Sequence, residues 1–133
     1  MIEEFTWNLV FFTIVATLAL SIYGIVAKPN LVKKLIALTI FGDTVNFFVI
    51  FIGYRMIYHV APPILPSISQ DAVNEFVNQA VDPLPQALVL TAVVIGMAVN
   101  CLIAFAIIQV YRLYGTVDAR RIVEKAFPEE VGE

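Results

Sequence analysis

One carboxylate stands where water does not reach. Asp43 falls near the middle of an otherwise charge-free apolar run, residues 35–54, and is the only formal charge within any such run long enough to cross a bilayer. A charged side chain at that depth costs roughly 2.5 to 3.5 kcal/mol on insertion scales, so a residue of this kind is a candidate for ion or proton handling. Neutralising it takes either a proton or a partner charge. Thr39 lies one helical turn before it and Asn46 nearly one turn after, and each brings a hydrogen-bonding group to the same broad side of a helix. Asp43, Thr39 and Asn46 are therefore the candidate ion- or proton-handling residues. The competing reading is a protonated, structural Asp43 bonded to a neighbouring helix.

The rest of the chain offers little other chemistry. Of its 133 residues, 60% are hydrophobic and 14% charged, too apolar for an ordinary soluble domain. The net charge of −3 supplies no basic surface for nucleic acid. Cys101 is the lone cysteine and His59 the lone histidine, so no internal disulfide and no metal-ligand spacing exists, and neither a metal nor a cofactor is expected. His59 falls in a loop, where a solvent-facing or capping role is the default and proton relay the weaker alternative. No nucleophile with its base and no nucleotide fold is recognisable, so the chain is not expected to be an enzyme by itself.

These residues must be positioned by membrane helices. Residues 5–27 carry no charge, and at about 1.5 Å per residue they cover the ~30 Å hydrocarbon core. Glu3 and Glu4 stand where a signal peptide would carry basic residues. Lys28, Pro29 and Asn30 end this run. The second span is 35–54, closed by Arg55, and the third is 85–111, opening with Pro85 in the first turn and closing at Arg112. The fold class is thus all-α: an integral membrane protein with three transmembrane helices over residues 1–114, an outer loop over 55–84 and a tail over 115–133.

Within the loop, residues 71–81 have Val73, Phe76, Val77 and Ala80 on one side and predict a short interfacial helix. The tail mixes signs and reads as a short helix or docking segment.

Small and polar residues recur at helical spacing in each span, as lipid-embedded helix contacts require. The first has Thr13, Thr17, Ser21 and Gly24; the second Thr39, Gly42, Asp43 and Asn46; the third Ala92, Gly96, Asn100 and Ala104. Gly42, Gly96 and Asn100 are the candidate helix-packing positions.

Four stretches carry a family resemblance: NLVKKLIALTIFGDTVN at 30–46, APPIL at 61–65, DPLPQALVLTAVVIG at 82–96 and YRLYGTVD at 111–118. Together they resemble the MrpC component of Mrp-type multisubunit cation/proton antiporters, a family related to the NuoK subunit of respiratory complex I and to subunits of energy-converting hydrogenases. The resemblance implies a three-helix subunit set between larger antiporter-like subunits, continuing a hydrophilic path along the membrane midplane. Its partners would be other antiporter subunits, and hydrogenase or dehydrogenase subunits where the module belongs to a membrane-bound hydrogenase or a related respiratory complex. NuoK-type relatives carry a glutamate at the position aligned with Thr39 and a second in the third helix, where this chain has apolar residues around Val94 and Ile95. A two-glutamate relay does not carry over, which favours the Mrp branch. The expected function is an accessory subunit contributing a buried polar site to sodium and proton movement. The alternative is a spacer linking larger subunits without an ion-handling residue.

Lys28, Lys33 and Lys34 lie between the first two spans, and Arg112, Arg120, Arg121 and Lys125 follow the third. Cytoplasmic segments collect Lys and Arg, which puts this linker and the C-terminus in the cytoplasm of a multi-pass cell-membrane protein and the N-terminus and long loop outside. Cysteines introduced near Lys33 and Val123 should accordingly be labelled by impermeant thiol reagents only from the cytoplasmic side, and one near Ser69 only from outside. Labelling at Ser69 from the cytoplasm would overturn the orientation.

Overall fold

In the computed structural model, which describes residues 1–55 and 61–128, the chain forms five helices: α1 (Ile2–Ala27), α2 (Leu31–Arg55), α3 (Gln70–Gln79), α4 (Leu84–Tyr114) and α5 (Ala119–Ala126). No strand occurs among the described residues. His59 lies outside them. Three helices, α1, α2 and α4, are long and apolar enough to cross a membrane, because in hydrocarbon only a helix or a closed barrel satisfies every backbone polar group.

The helix ends follow from local chemistry. Lys28 is extended ahead of Pro29, which stops α1. Asn30 then starts α2 by accepting from the backbone N–H groups of Val32 at 2.9 Å and Lys33 at 3.3 Å. Helix α2 therefore begins at Leu31, and Lys33 and Lys34 sit in its first turns rather than in an extended linker. Gly115 ends α4 at φ +68°, a left-handed conformation that costs glycine little, with its N–H donating to the Tyr111 carbonyl at 2.8 Å. At 31 residues, about 46 Å, α4 exceeds the hydrocarbon thickness and must tilt or project from it. Ser69 and Asp118 cap α3 and α5 through their side-chain oxygens.

Helix α2 is the middle of the bundle, packed against α1 on one side and α4 on the other. Its buried residues Ala37, Thr44 and Phe51 recur every seven positions and form the seam with α1. The two helices approach closely at Gly24, where a Cβ would stand 2.9 Å from the Ala37 Cβ. At the other end of the seam Phe51 meets Trp7 and Phe11, with ring centroids 5.4 and 5.9 Å apart. The contact with α4 is anchored by Gly53, whose Cβ would lie 3.1 Å from Pro85, and by a hydrogen bond from Gln86 Nε2 to the Tyr54 hydroxyl at 3.3 Å.

Backbone hydrogen bonds close both ends. On the loop side, Ala61 N–H donates to Gln79 O at 3.0 Å and Val81 N–H to Ala61 O at 3.1 Å, leaving Val81 buried. On the tail side, Leu31 N–H donates to Val117 O and Ala119 N–H to Pro29 O, both at 2.9 Å. Lys125 Nζ donates to the Tyr114 carbonyl at 2.8 Å, satisfying one of the carbonyls that the end of α4 leaves without a helical partner. The linker and the tail thus share one end of the bundle, as three crossings demand. Most other large apolar side chains face outward, which suits contact with lipid or further helices.

Because α1 and α2 touch closely at Gly24, the variant Gly24→Leu should overpack the seam and cost about 1–3 kcal/mol. Gly42→Ala, with no atom within 4 Å of its would-be Cβ, should be neutral or slightly stabilising. Thermal unfolding of the full chain in detergent checks both, and equal effects would show that the Gly24 contact does not hold the helices.

A carboxylate cleft between α1 and α2

Asp43 is the central residue of α2, twelve positions from either end and so roughly 18 Å along the axis from each. At about 100° per residue it lies a quarter turn from the Ala37–Thr44–Phe51 seam and a similar angle from the Gly53 side that meets α4. Neither neighbouring helix covers it within the chain. Instead it lines a cleft of about 500 Å³ on one flank of the α1–α2 seam. Leu9, Val10, Thr13, Ile14 and Thr17 of α1 and Ile40, Thr44 and Phe47 of α2 form the remaining lining.

The polar atoms of this cleft share one chemical character. Thr13 Oγ1 donates to the Leu9 carbonyl and Thr17 Oγ1 to the Thr13 carbonyl, both at 2.8 Å, and Thr44 Oγ1 donates to the Ile40 carbonyl at 2.7 Å. With each hydroxyl proton committed one turn back along its own helix, the oxygens have only lone pairs left to offer. Among the described residues, no lysine, arginine or histidine lines it. Asp43 and three threonines therefore present oxygen acceptors, a set suited to a proton or a hard cation rather than an anion.

The group of residues expected around Asp43 is divided. Thr39, Gly42 and Asn46 fall on the side of α2 that Gly53 turns to α4, whereas Asp43 opens beside α1. The Thr39 hydroxyl donates to the Leu35 carbonyl at 3.0 Å, so like the cleft threonines it retains acceptor capacity alone. Thr39 and Asn46 are both half-buried. On α4, Gly96 and Asn100 belong to a half-buried stripe with Pro85, Val89, Ile103 and Ile107, and nothing lies within 4 Å of a Cβ built on Gly96. The close intrachain approaches occur at Gly24 and Gly53. Thr13 and Thr17, legible in the sequence as part of a packing stripe, prove to share the cleft of Asp43. The signal was their four-residue repeat, but its partner across the seam depends on the rotation of two helices.

Among the described residues no cluster of His, Cys, Asp or Glu could hold a metal ion. Cys101 is a free, exposed thiol on α4.

Comparison with known proteins fits this architecture. The sequence profile of the NADH-ubiquinone/plastoquinone oxidoreductase chain 4L family matches residues 9–125. A chain from Rhizobium meliloti named as the C component of a K(+)/H(+) antiporter is 33% identical over 108 residues, covering 80% of this chain and 89% of its own length. The antiporter subunit mnhC2 named in Staphylococcus saprophyticus is 30% identical over 107 residues, with 80% and 82% covered. Among solved structures, a chain of the membrane-bound sulfane sulfur reductase, an archaeal respiratory membrane complex, superposes with a TM-score of 0.71 at 36% identity, covering 84% of this chain and 94% of that one. The resemblance to the MrpC antiporter component drawn from the four sequence stretches is borne out. With three membrane-spanning helices and a match over most of its length, this multi-pass membrane chain belongs to the oxidoreductase chain 4L family, whose members include NuoK.

Proposed function

We propose that this chain is an accessory membrane subunit of an Mrp-type sodium/proton antiporter module, and that Asp43 is its proton- or cation-handling group. The observation that carries the reading is the acceptor-only cleft: a carboxylate at the centre of a transmembrane helix, flanked by threonine oxygens and left uncovered by the chain's own helices. A carboxylate facing lipid tails is costly, so the cleft calls for a neighbouring subunit, a proton or a cation to complete it. The relatives named as antiporter subunits and the likeness to a chain of a respiratory membrane complex support the same reading. Its partners are then larger antiporter-like subunits, and the redox chemistry of any attached hydrogenase or dehydrogenase belongs to them.

Thr39 and Asn46 contribute from the α4 side, tuning the helix that bears Asp43 rather than sharing its cleft. Gly42, Gly96 and Asn100, where the chain itself leaves open space beside the two glycines, would serve as packing positions for a helix of a neighbouring subunit. The basic tail side faces the cytoplasm and the N-terminus faces out, in accordance with the distribution of Lys and Arg.

Asp43→Asn preserves size and one oxygen acceptor while removing the ionisable carboxyl. In inverted vesicles carrying the assembled complex it should leave subunit composition intact and reduce cation-coupled proton transport at least tenfold. Thr39→Val should have the smaller effect, because the hydroxyl it removes already donates within α2. An Asp43→Asn complex that assembles and transports like the wild type across a range of pH would replace this reading with that of a structural spacer.

A further inference from the structure

Two helix starts satisfy each other at the tail side. Leu31 is the first residue of α2 and Ala119 the first of α5, and a backbone N–H in that position has no partner within its own helix. Here each finds one on the other segment: Leu31 N–H donates to Val117 O and Ala119 N–H to Pro29 O, both at 2.9 Å. The residues just ahead of the two helices, Asn30 and Asp118, accept from the amides that follow, Val32 and Lys33 in the first case and Arg120 in the second. Asn30 and Asp118 are joined as an antiparallel bridge. The contact is therefore reciprocal, and each helix start depends on the other for its first amide.

This bridge joins α4 to the α1–α2 hairpin. On one side it continues from the end of α4 through residues 116–118, a link braced by Asp118 N–H donating to Thr116 Oγ1 at 3.2 Å and by Lys125 Nζ donating to Tyr114 O at 2.8 Å. On the other it is part of the turn between α1 and α2. At the loop side the hairpin meets α4 where Gly53 faces Pro85 and Gln86 bonds Tyr54. Gly42 lies eleven residues down α2 from Gly53, and Gly96 eleven residues down α4 from Pro85. Eleven residues make three turns and about 20°, a rise of about 16 Å, so both glycines return to the contact line at one depth. Even so, nothing lies within 4 Å of a Cβ built on either. The α2–α4 interface is slack at mid-depth and fastened toward its ends.

We infer that residues 117–119 are a strap that sets how closely α4 lies against the α1–α2 hairpin. Closed, it holds the tail-side half of α4 in place. Opened, it lets α4 swing about the Gly53–Pro85 contact and widens the middle of the interface, where Thr39, Asn46 and Asn100 lie half-buried. Its strength suits a device that opens: two backbone hydrogen bonds are worth only about fivefold each in an equilibrium, and local openings of that size belong to the low-stability part of a fold. The strap thereby regulates the width that the α2–α4 face offers to a neighbouring subunit. It stands whether or not Asp43 handles ions, because Asp43 opens beside α1.

The test uses the full chain in phosphatidylcholine vesicles, with nitroxide labels on Cys101 of α4 and on Ile36→Cys of α2, both exposed positions, and reads their distance distribution by pulsed electron paramagnetic resonance. Proline is tolerated at the first position of a helix when the residue before it is extended. Leu31→Pro and Ala119→Pro therefore each delete one strap donor while α2 and α5 keep their starts. Each should raise the ratio of a longer-distance population to the shorter one about fivefold, equivalent to ~1 kcal/mol per hydrogen bond, and the double variant roughly 25-fold. A second label pair, Ile52→Cys and Leu88→Cys in a Cys101→Ser background, sits beside the loop-side contact and should keep one distance throughout. Gln70→Pro, at the first position of α3 and away from the strap, should leave both pairs as in the wild type. Circular dichroism checks helical content, and the single variants decide the matter if the double variant loses helix. Wild-type distances in helical strap variants would overturn the inference. Equal broadening of both label pairs would do so too, since it would show general loosening rather than a swing about one end, as would a Gln70→Pro chain that shifts the Cys101 pair to the same extent.

Discussion

Helices in lipid gain little from hiding apolar surface, so what holds them together is how closely their backbones can approach. This fold depends on two such approaches, both on α2. Gly24 lets α1 settle against Ala37, and Gly53 lets α4 settle against α2 through Pro85. They lie on opposite sides and toward opposite ends of the middle helix, so α2 is gripped by one neighbour near the tail side and by the other near the loop side. The capped turns and backbone bridges at the two ends then fix the register, joining Asn30 to Asp118 and Ala61 to Ala80.

That arrangement leaves the centre of α2 comparatively open. At Asp43 neither neighbour covers the helix, and the cleft there is lined by apolar side chains of α1 and α2 together with three threonines. The back-bonding of those hydroxyls matters chemically. A threonine that spends its proton on its own helix becomes a pure acceptor, and three such threonines beside a carboxyl group favour positive charge or a shared proton over any anion. The same pattern stabilises the helices, since each hydroxyl relieves the cost of an unpaired polar group in hydrocarbon.

The two ends of the α1–α2 seam differ in kind. Near the loop side Trp7, Phe11, Phe48 and Phe51 pack ring against ring, filling space between the helices and placing a tryptophan near the interface, where aromatic rings concentrate. Near the tail side the seam narrows at Gly24 and Ala37, and the lysines mark the boundary with water. Between them the carboxylate cleft occupies the middle depth. The seam thus passes from aromatic through acidic to basic across the bilayer.

The amino-acid sequence determined the spans, because hydrocarbon thickness and the cost of charge leave few places for a helix to begin or end. It also determined the short helix in the loop, the prominence of Asp43 and the family, the last from four stretches whose order and wording are specific. Local chemistry moved the helix starts outward: Asn30 caps α2 at Leu31, ahead of the charge-free run, because lysines at a membrane boundary can keep their ammonium groups in water while their stems stay helical. Tertiary structure decided what surrounds the carboxylate. Thr39 and Asn46 are its neighbours along the chain, yet Thr13 and Thr17 of another helix share its cleft. A helix presents every side to something, and its hydrophobic pattern here is nearly uniform around the axis. The contacts that α2 makes with Gly24, through Phe51 and at Gly53 fix its rotation, and with it which helix stands beside Asp43.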